Sequence, residues 1–364
     1  MRLPEWSKIH EMRGFRLITI PLVLLSVLYR VLVSLRLLIY KKKPGKDLPG
    51  FVVSIGNITA GGTGKTPAAR LIAEWALNRG YFPAVLSRGY GGRYKEKVLV
   101  VSDGNDINTG PEEAGDEACL LAKALKGVPV IVSRSRHSAG LLASKRFGCN
   151  FFILDDGFQH LQLKRDLNVL LLDAVSPSGN GHLLPWGPLR EPLSQINRAD
   201  VVILTRFDTD LSTKGSREIL KDFSNDLPVF RSSHVPVRLV FPNMDETYDA
   251  EFLKGKRIAA FAGIARPEAF LQTLNQLGAD VAAFKGFGDH HKFTDSDIET
   301  LESLKDKEGS KYILTTEKDW VRLEKNLSEW HNLAYLTIRF AIFSGQESFF
   351  KIINEKISLK KGAI

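Results

Sequence analysis

A buried strand that leads into a glycine-rich loop and then a helix constrains this chain more than any other feature. Residues 51–55 (FVVSI) are apolar, and residues 56–67 read GNITAGGTGKTP. Glycines let the backbone N–H groups of such a loop approach phosphate oxygens, and the start of the following helix favours negative charge. A lysine and a threonine at its end reach the β- and γ-phosphates and Mg²⁺. The order of strand, loop and helix therefore predicts an α/β domain that binds a nucleotide.

Eight residues of the loop are candidate contacts of the nucleotide, namely Thr59, Ala60, Gly61, Gly62, Thr63, Gly64, Lys65 and Thr66. The Thr66 hydroxyl is also a candidate ligand of Mg²⁺. The strict pattern G-x-x-x-x-G-K-[ST] has a glycine where this chain has Thr59, so one position departs from it. The alternative is an ordinary glycine-rich turn with an incidental lysine, and the order of the flanking elements argues against it.

Composition and charge bound the class of protein. The chain has 364 residues, 44% hydrophobic and 25% charged, which suffices for a large core and two domains. A net charge of +9 favours anionic partners such as nucleic acid, phospholipid or a phosphorylated substrate. Two cysteines, Cys119 and Cys149, are too few for a disulfide framework or a zinc site, which fits a reducing, cytoplasmic setting.

The N-terminal region contains an apolar stretch at residues 17–40, which two arginines interrupt and three lysines close. It falls short of a clean span of about 20 apolar residues, and no small-residue cleavage site marks a signal peptide. A spanning helix, a helix in the membrane interface and a buried helix of a soluble domain all remain open. We favour the interface, because several basic side chains are placed to meet anionic head groups: Arg13, Arg16, Arg30, Arg36 and lysines 41–43. The lysines also predict that the body of the protein lies in the cytoplasm.

Short apolar segments alternate with helical segments along the rest of the chain. After a helix at 67–78, strands are predicted at 84–87, 98–101, 128–132, 150–154, 168–172 and 201–205, with helices at 113–125 and 135–147. Their unalternated, β-branched composition is typical of parallel strands buried on both faces. Further strands are predicted at 257–262, 281–284, 312–314 and 334–338, with helices at 267–277 and 346–357.

The predicted fold class is α/β: a parallel-sheet domain of the P-loop NTPase type, a second, smaller α/β domain and an N-terminal membrane-associated helix. The helix region is placed at residues 1–43, the core domain at 44–230 and the second domain at 231–364. Scattered prolines indicate a linker at about 228–248. Ligands are expected at the carboxyl ends of the strands.

Two carboxylates follow a buried strand in residues 151–156 (FFILDD). In a P-loop protein, Asp155 or Asp156 at this place orients Mg²⁺ or the attacking group, and a solvated turn is the alternative. Gln159 and His160 come next on the same loop and are weaker candidates for substrate contacts.

Two further loops carry candidate residues. In residues 183–192 (LLPWGPLREP), Arg190 is placed to stabilise charge on a transferring phosphoryl group and Glu191 to reach a metal. An exposed loop with a local ion pair is the alternative. In residues 87–92 (SRGYGG), Arg88 is a candidate contact of a phosphate group.

Acid–base candidates stand in two other segments. Asp116 lies near the start of the helix predicted at 113–125, where complementing the helix dipole is the ordinary use of an acidic residue. Residues 286–293 (GFGDHHKF) contain His290 and His291 beside an aspartate. No further ligands stand at suitable spacing for a metal, so a general base or a substrate contact is favoured there.

The segments GNITAGGTGKTP, SRGYGG, GDE, LDDGFQH, GPLREP, DHHKF and TEKD occur in this order between about residues 51 and 323. Together they resemble the tetraacyldisaccharide 4′-kinases, the lipid A kinases of Gram-negative envelope synthesis. The N-terminal apolar helix and the departure at Thr59 also fit that family. The resemblance implies transfer of the γ-phosphoryl group of ATP, with Mg²⁺, to the 4′-hydroxyl of a tetraacylated glucosamine disaccharide 1-phosphate. It places the enzyme on an anionic membrane surface, at the cytoplasmic face of the inner membrane.

The resemblance also implies roles for individual residues. Asp116 and His290 act as the acid–base pair that takes the hydroxyl proton, and His290 matches the family motif better than His291. Arg190 stabilises transferring charge, and Asp156 serves the reacting groups. The implied metal ligands are Thr66, Asp155, Asp156 and Glu191. Because the histidine and the phosphate loop fall in different predicted domains, the active site is expected in the cleft and to assemble on closure.

Two other functions compete with this interpretation. A membrane-associated P-loop ATPase that switches a protein partner would also use the loop and the basic helix, although it does not call for GPLREP or DHHKF. The fate of the γ-phosphate separates the two. Binding of nucleic acid is suggested by charge alone, and without a basic-aromatic motif we predict no nucleic-acid partner.

Overall fold

The computed structural model of the protein describes residues 20–43, 45–207, 226–323, 330, 332–343 and 345–362. The backbone divides into two units. The first unit combines residues 1–88, 133–233 and 341–364, and the second combines residues 89–132 and 234–340. Arg13 and Arg16, the first basic residues of the predicted membrane contact, lie outside the described residues.

Among the described residues, the strands are β1 (Phe51–Gly56), β2 (Pro83–Ser87), β3 (Leu99–Ser102), β4 (Val130–Val132), β5 (Phe151–Leu154), β6 (Leu167–Asp173), β7 (Val201–Thr205), β8 (Val229–Phe241), β9 (Glu246–Asp249), β10 (Arg257–Ala262), β11 (Asp280–Gly286), β12 (Tyr312–Thr316) and β13 (Leu333–Ile342). The α-helices are α1 (Ile20–Lys42), α2 (Lys65–Asn78), α3 (Pro111–Ala114), α4 (Asp116–Ala124), α5 (Arg136–Phe147), α6 (Pro267–Gln276), α7 (Asp295–Lys307), α8 (Glu317–Leu323) and α9 (Gln346–Gly362).

The first unit contains a parallel sheet with the strand order β8–β7–β6–β1–β5–β2. In it, β1 pairs with β5, with Val53 beside Ile153, and with β6, with Val53 beside Leu167. All six residues of β1 are buried, which explains its unalternated apolar sequence. Because parallel strands end at one edge of a sheet, the loops after β1, β2 and β5 lie at the same edge. The predicted parallel sheet is confirmed.

The second unit is also α/β. Strands β11, β10, β12 and β13 pair in this order and are parallel. Strands β8 and β9 form an antiparallel pair, as do β3 and β4. A buried apolar core packs against these strands and includes Phe241, Leu274, Leu314 and Leu336.

Residues 228–248 are not the linker that their prolines indicate, because β8 and most of β9 occupy them. Pro236 lies between the part of β8 that pairs with β7 and the part that pairs with β9. Its missing N–H therefore interrupts neither of these two ladders. The domain limits of 44–230 and 231–364 remain a prediction. One division between the two units follows residue 233, within the region predicted as a linker, and the others follow residues 88, 132 and 340.

The helix predicted at 113–125 is two helices, α3 and α4, separated at Gly115. Gly115 has a φ of 86°, and a Cβ at this position would lie 2.4 Å from the carbonyl oxygen of Tyr90. Only glycine suits this backbone and this close approach. The break makes Asp116 the first residue of α4, beside the loop that carries Tyr90.

Helix α1 packs on the first unit along one face. Its buried and half-buried side chains recur every three to four residues and are those of Leu22, Val23, Ser26, Tyr29, Val33, Leu37 and Tyr40. The Ser26 hydroxyl donates to the carbonyl oxygen of Leu183 at 2.8 Å, and the Tyr29 hydroxyl donates to that of Arg190 at 3.0 Å.

Most of the remaining surface of α1 is apolar and exposed, with Leu24, Leu28, Leu32 and Leu38 each more than half accessible to solvent. By length and composition the helix is able to cross a membrane. A helix that serves as an ordinary core element would instead bury this surface.

Candidate active site

The phosphate loop ends at the first turn of α2, which begins at Lys65. Gly64 precedes it with a φ of 79°, a left-handed conformation that favours glycine, and no side chain caps the helix. The Thr63 hydroxyl is buried and has no hydrogen-bond partner within the described ranges. An uncapped helix start beside an unpaired hydroxyl fits a bound phosphate group.

Thr59 takes the place of a glycine without strain. Residues 58–60 pair with the loop that carries Arg190: Thr59 forms an antiparallel bridge with Leu189, and the N–H of Ala60 donates to the carbonyl oxygen of Pro188. The φ of Thr59 is not positive, so the backbone conformation at this position does not require glycine. The N–H of Ala60 is therefore already used within the protein.

Two cations of the first unit converge on Asp156, which follows β5. Its carboxylate accepts hydrogen bonds from Arg190 Nη1 at 2.9 and 3.1 Å and lies 3.7 Å from Lys65 Nζ. Lys65 Nζ also donates to Asn57 Oδ1 at 3.5 Å. Burial would raise the pKa of Asp156, but the charges of Lys65 and Arg190 outweigh burial and lower it. The site therefore gathers two cations around one ionised carboxylate.

Glu191 and Gln159 are held by contacts within the first unit. Glu191 is buried, forms an ion pair with Arg198 and accepts a hydrogen bond from Gln159 Nε2 at 3.4 Å. Burial raises the pKa of Glu191, and the Arg198 charge only partly offsets this. Gln159 Nε2 also donates to the carbonyl oxygen of Asn57 at 2.8 Å. The Gln159 amide therefore links the end of β1 to Glu191.

Mg²⁺ fits the residues at the end of β5 and the start of α2. In the part of the chain that the structure describes, no group of three or more His, Cys, Asp or Glu side chains is arranged to hold a metal. Mg²⁺ needs no such cage, because one or two carboxylates together with nucleotide phosphates and water complete its octahedron. Asp155, Asp156 and Thr66 supply such oxygen atoms at the same edge of the sheet, and Asp155 is almost fully buried there.

Arginines surround His160. Burial and the charges of four guanidinium groups lower the pKa of His160 to about 3, so the imidazole is neutral. The four are Arg136, Arg165, Arg36 and Arg88. Arg36 belongs to α1, and its Nη2 donates to the backbone oxygen of Gln159 at 2.7 Å. A neutral imidazole among cations is an environment that favours an anion.

The second unit brings Asp116 and His290 together, although they are far apart in the chain. His290 Nδ1 lies 2.9 Å from Asp116 Oδ2. The ring of Tyr90 lies 5.7 Å from that of His290, centroid to centroid. His291 points to a different partner, with its Nε2 at 3.0 Å from Asp297 Oδ2. Of the two histidines, His290 is therefore the one in contact with Asp116.

The electrostatics of this pair favour its charged form. The hydrogen bond to Asp116 raises the pKa of His290, against the effect of burial. Burial alone would raise the pKa of Asp116, but the His290 hydrogen bond and the charges of Lys318 and Arg322 lower it. Lys318 Nζ lies 4.0 Å from Asp116 Oδ2 and 3.3 Å from Glu117 Oε1. The pair titrates as a coupled unit next to two cations.

Some residues of these sites are not among the candidates that the sequence indicates. Arg136 and Arg165 near His160 come from distant parts of the chain, and the sequence alone gives no signal that joins them. Arg36, a predicted contact of head groups, belongs to the same set. The sequence does indicate that Lys318 and Arg322 act together, because they stand four residues apart on α8 and share one helix face.

Relatives of this chain are found among known proteins, both by sequence and by structure. A model of the LpxK family, described as tetraacyldisaccharide-1-P 4′-kinase, matches residues 18–358. A tetraacyldisaccharide 4′-kinase of Syntrophus aciditrophicus is 44% identical over 311 residues, which cover 82% of this chain and 82% of that protein. One of Anaeromyxobacter sp. strain K is 42% identical over 312 residues, covering 85% and 82%. A crystal structure of LpxK from Aquifex aeolicus in complex with ATP is similar with a TM-score of 0.74 and 33% identity, covering 92% of this chain and 98% of that one.

Proposed function

The chain belongs to the LpxK family of tetraacyldisaccharide-1-phosphate 4′-kinases, and from this premise we propose how its residues perform an ATP-dependent phosphoryl transfer. The acceptor is the 4′-hydroxyl of a tetraacylated glucosamine disaccharide 1-phosphate, a precursor of lipid A. The observation that carries the proposal is the 2.9 Å contact between His290 and Asp116. A sugar hydroxyl must lose its proton as it attacks phosphorus, and such an acid–base pair is able to accept that proton.

The residues of the first unit hold the nucleotide in this proposal. The N–H groups at the start of α2 and the Lys65 ammonium bind its phosphates. Thr66, Asp155 and Asp156 would hold Mg²⁺, and Glu191 is a further candidate ligand. When bound, Mg²⁺ neutralises charge on the β- and γ-phosphate oxygens. Arg190, held 2.9 Å from Asp156, stabilises the charge of the transferring group.

The residues of the second unit accept the proton of the hydroxyl. The coupled Asp116–His290 pair takes the proton from the 4′-oxygen as that oxygen bonds to phosphorus. The charges of Lys318 and Arg322 help to lower the pKa of Asp116, which keeps its carboxylate ionised beside His290.

The arginines around His160 are proposed to bind the 1-phosphate of the acceptor. This phosphate is the strongest anion of the substrate, and Arg88, Arg136 and Arg165 provide the charge and the forked geometry that recognise phosphate oxygens. His160, held neutral, is able to donate one hydrogen bond to the same group.

Helix α1 is proposed to lie in the cytoplasmic leaflet of the inner membrane with its exposed apolar face among the acyl chains. Its contacts with the first unit run from Ser26 to Tyr40 along the helix. A helix that stands across the bilayer would lose most of these contacts, which favours a partly inserted position. Lysines 41–43 and Arg30 then meet anionic head groups.

The test follows the γ-phosphate. The full chain is mixed with ATP labelled at the γ-phosphate and with the acylated disaccharide 1-phosphate in detergent micelles. We expect label in the lipid, none in a 4′-deoxy analogue and none with the Lys65→Ala variant. Label that appears only as free phosphate, at a rate raised by a protein partner, would overturn the proposal in favour of a switching ATPase.

A further inference from the structure

Arg322 of α8 joins the Asp116–His290 pair to the body of the second unit. Its side chain is only 9% exposed, and its Nε lies 3.4 Å from Asp116 Oδ2. Nη1 donates to the carbonyl oxygen of His291 at 3.2 Å, and Nη2 donates to that of Gly263 at 2.9 Å. One planar guanidinium group therefore contacts the catalytic carboxylate and the backbone next to the catalytic histidine.

Asp319 fixes the other side of the same guanidinium group. Arg322 Nη2 lies 2.8 Å from Asp319 Oδ1. The Asp319 carboxylate is fully buried and accepts hydrogen bonds from the N–H of Gly263 at 3.0 Å and from Thr316 Oγ1 at 2.7 Å. These contacts tie the guanidinium to the ends of β10 and β12, so its orientation is set by the sheet.

The backbone at His290 needs such support. His290 has a φ of 57°, in the left-handed region that non-glycine residues rarely adopt. Its N–H donates to Asp289 Oδ1 at 3.1 Å, and the following carbonyl, that of His291, is held by Arg322. A conformation of this kind persists where surrounding contacts over-determine it.

From these contacts we propose that Arg322 is a positioning residue, which holds the Asp116 carboxylate and the His290 backbone in register for proton transfer. The inference rests on the proposed function, in which Asp116 and His290 form the acid–base pair. Lysine would not replace Arg322, because an ammonium group is a point charge and lacks the rigid fork that spans these contacts.

Arg322 also acts on the charge of the pair. The groups that face Asp116 are Lys318 and Arg322 from α8, His290 and Asp289 from the loop after β11, and Glu117 and Cys119 from its own helix. Arg322 is one of two cations in this set. Without it, the pKa of Asp116 rises, and a higher pH is needed to keep its carboxylate ionised.

The experiment compares Arg322→Lys and Arg322→Gln with the parent chain in the label-transfer reaction. We expect kcat to fall about 10- to 100-fold in both variants, with KM for ATP within about three-fold. In Arg322→Gln the acid limb of the rate should also move up by roughly 0.5 to 1 pH unit, because a cation is lost. In Arg322→Lys the limb should stay in place.

Arg257→Gln is the matched control. Arg257 also joins a carboxylate to a backbone carbonyl in the second unit, through Asp280 and Glu308, and it is not among the groups that face Asp116. It should keep the parent kcat and pH profile. Parent-like kcat in Arg322→Gln would overturn the inference. Loss of folded protein in both Arg322 variants, measured by circular dichroism, would also overturn the inference, because Arg322 would then be needed for stability.

Asp116→Asn, measured in parallel, distinguishes a failure of the positioning role of Arg322 from a failure of the proposed acid–base pair. If Asp116→Asn is inactive while Arg322→Gln turns over like the parent, only the role of Arg322 fails. If Asp116→Asn itself keeps the parent turnover, the proposed acid–base pair fails.

Discussion

Two histidines stand side by side in this chain, and the fold gives them different partners. His290 contacts Asp116 of a distant helix, whereas His291 contacts Asp297 seven residues from His290. The contact of His291 joins residues that are near in sequence, whereas the contact of His290 depends on the tertiary structure. The resemblance to a family indicates His290, and no rule of spacing would have joined it to Asp116.

Two interpretations of Asp116 remain to be tested: a catalytic carboxylate, or an acidic residue that only complements the dipole of α4. We expect Asp116→Asn to lower kcat by roughly 100- to 10,000-fold, because the base loses its charged partner. The affinity for ATP, measured by calorimetry, should stay at the parent level, since the phosphate loop belongs to the first unit and Asp116 to the second.

Glu112→Gln is the control for this change, because Glu112 lies in the first turn of α3 as Asp116 lies in the first turn of α4. It should lower stability by at most about 1 kcal/mol and leave kcat unchanged. Turnover of Asp116→Asn within a few-fold of the parent would return Asp116 to the dipole interpretation.

The phosphate loop was predictable at the residue level because its contacts are local. Residues 59–66 follow one another in the chain, and the geometry of a strand, a turn and a helix start places them. The partners of Lys65 are not local: Asp156 and Arg190 come from two other loops. The sequence indicates each of these residues separately, and only the sheet brings their side chains together.

At the scale of the element, α1 is more than an apolar stretch. Its apolar residues predict a helix, and its basic residues predict a position in the membrane interface. The sequence does not indicate that the Tyr29 hydroxyl donates to the backbone oxygen of Arg190, because that contact depends on where the GPLREP loop folds.

Tyr29→Phe tests whether this contact matters for turnover. The variant loses one partly buried hydrogen bond, a change of about 1 kcal/mol. If the whole of it appears in the transition state, kcat falls about five-fold. Tyr40→Phe is the control: the Tyr40 hydroxyl accepts an exposed hydrogen bond from Gln162 and lies far from Arg190 along the helix. Equal kcat in the two variants would contradict the coupling, and vesicle binding should not change in either.

At the scale of the whole molecule, the α/β class and the parallel strands followed from short, unalternated apolar runs. The prolines at 228–248 were misleading, because β8 changes its partner from β7 to β9 around Pro236, and neither ladder needs an N–H at that residue. Residues 89–132 join the second unit, although they fall within the predicted core domain. The local composition of residues 89–132 does not indicate to which unit they belong.

The net charge of +9 predicts attraction to anionic membranes, and α1 is expected to direct it. Deleting residues 1–43 should weaken partitioning to anionic vesicles, measured by co-sedimentation. Replacing Lys41, Lys42 and Lys43 by glutamine should weaken it by about 1 kcal/mol per lysine. The same change at Lys254, Lys256 and Lys311, which are exposed in the second unit, should have little effect. Unchanged partitioning of the deletion variant would favour a soluble helix.

The single packed face of α1 means that this helix is not an exchangeable tether. A foreign membrane helix of equal length and hydropathy would keep the protein at the bilayer. It would also leave the carbonyl oxygens of Leu183, Arg190 and Gln159 without the donors they now have in Ser26, Tyr29 and Arg36. The same helix thus serves the proposed membrane attachment and holds the loops that carry Leu183, Arg190 and Gln159, and a chimaera would keep only the attachment.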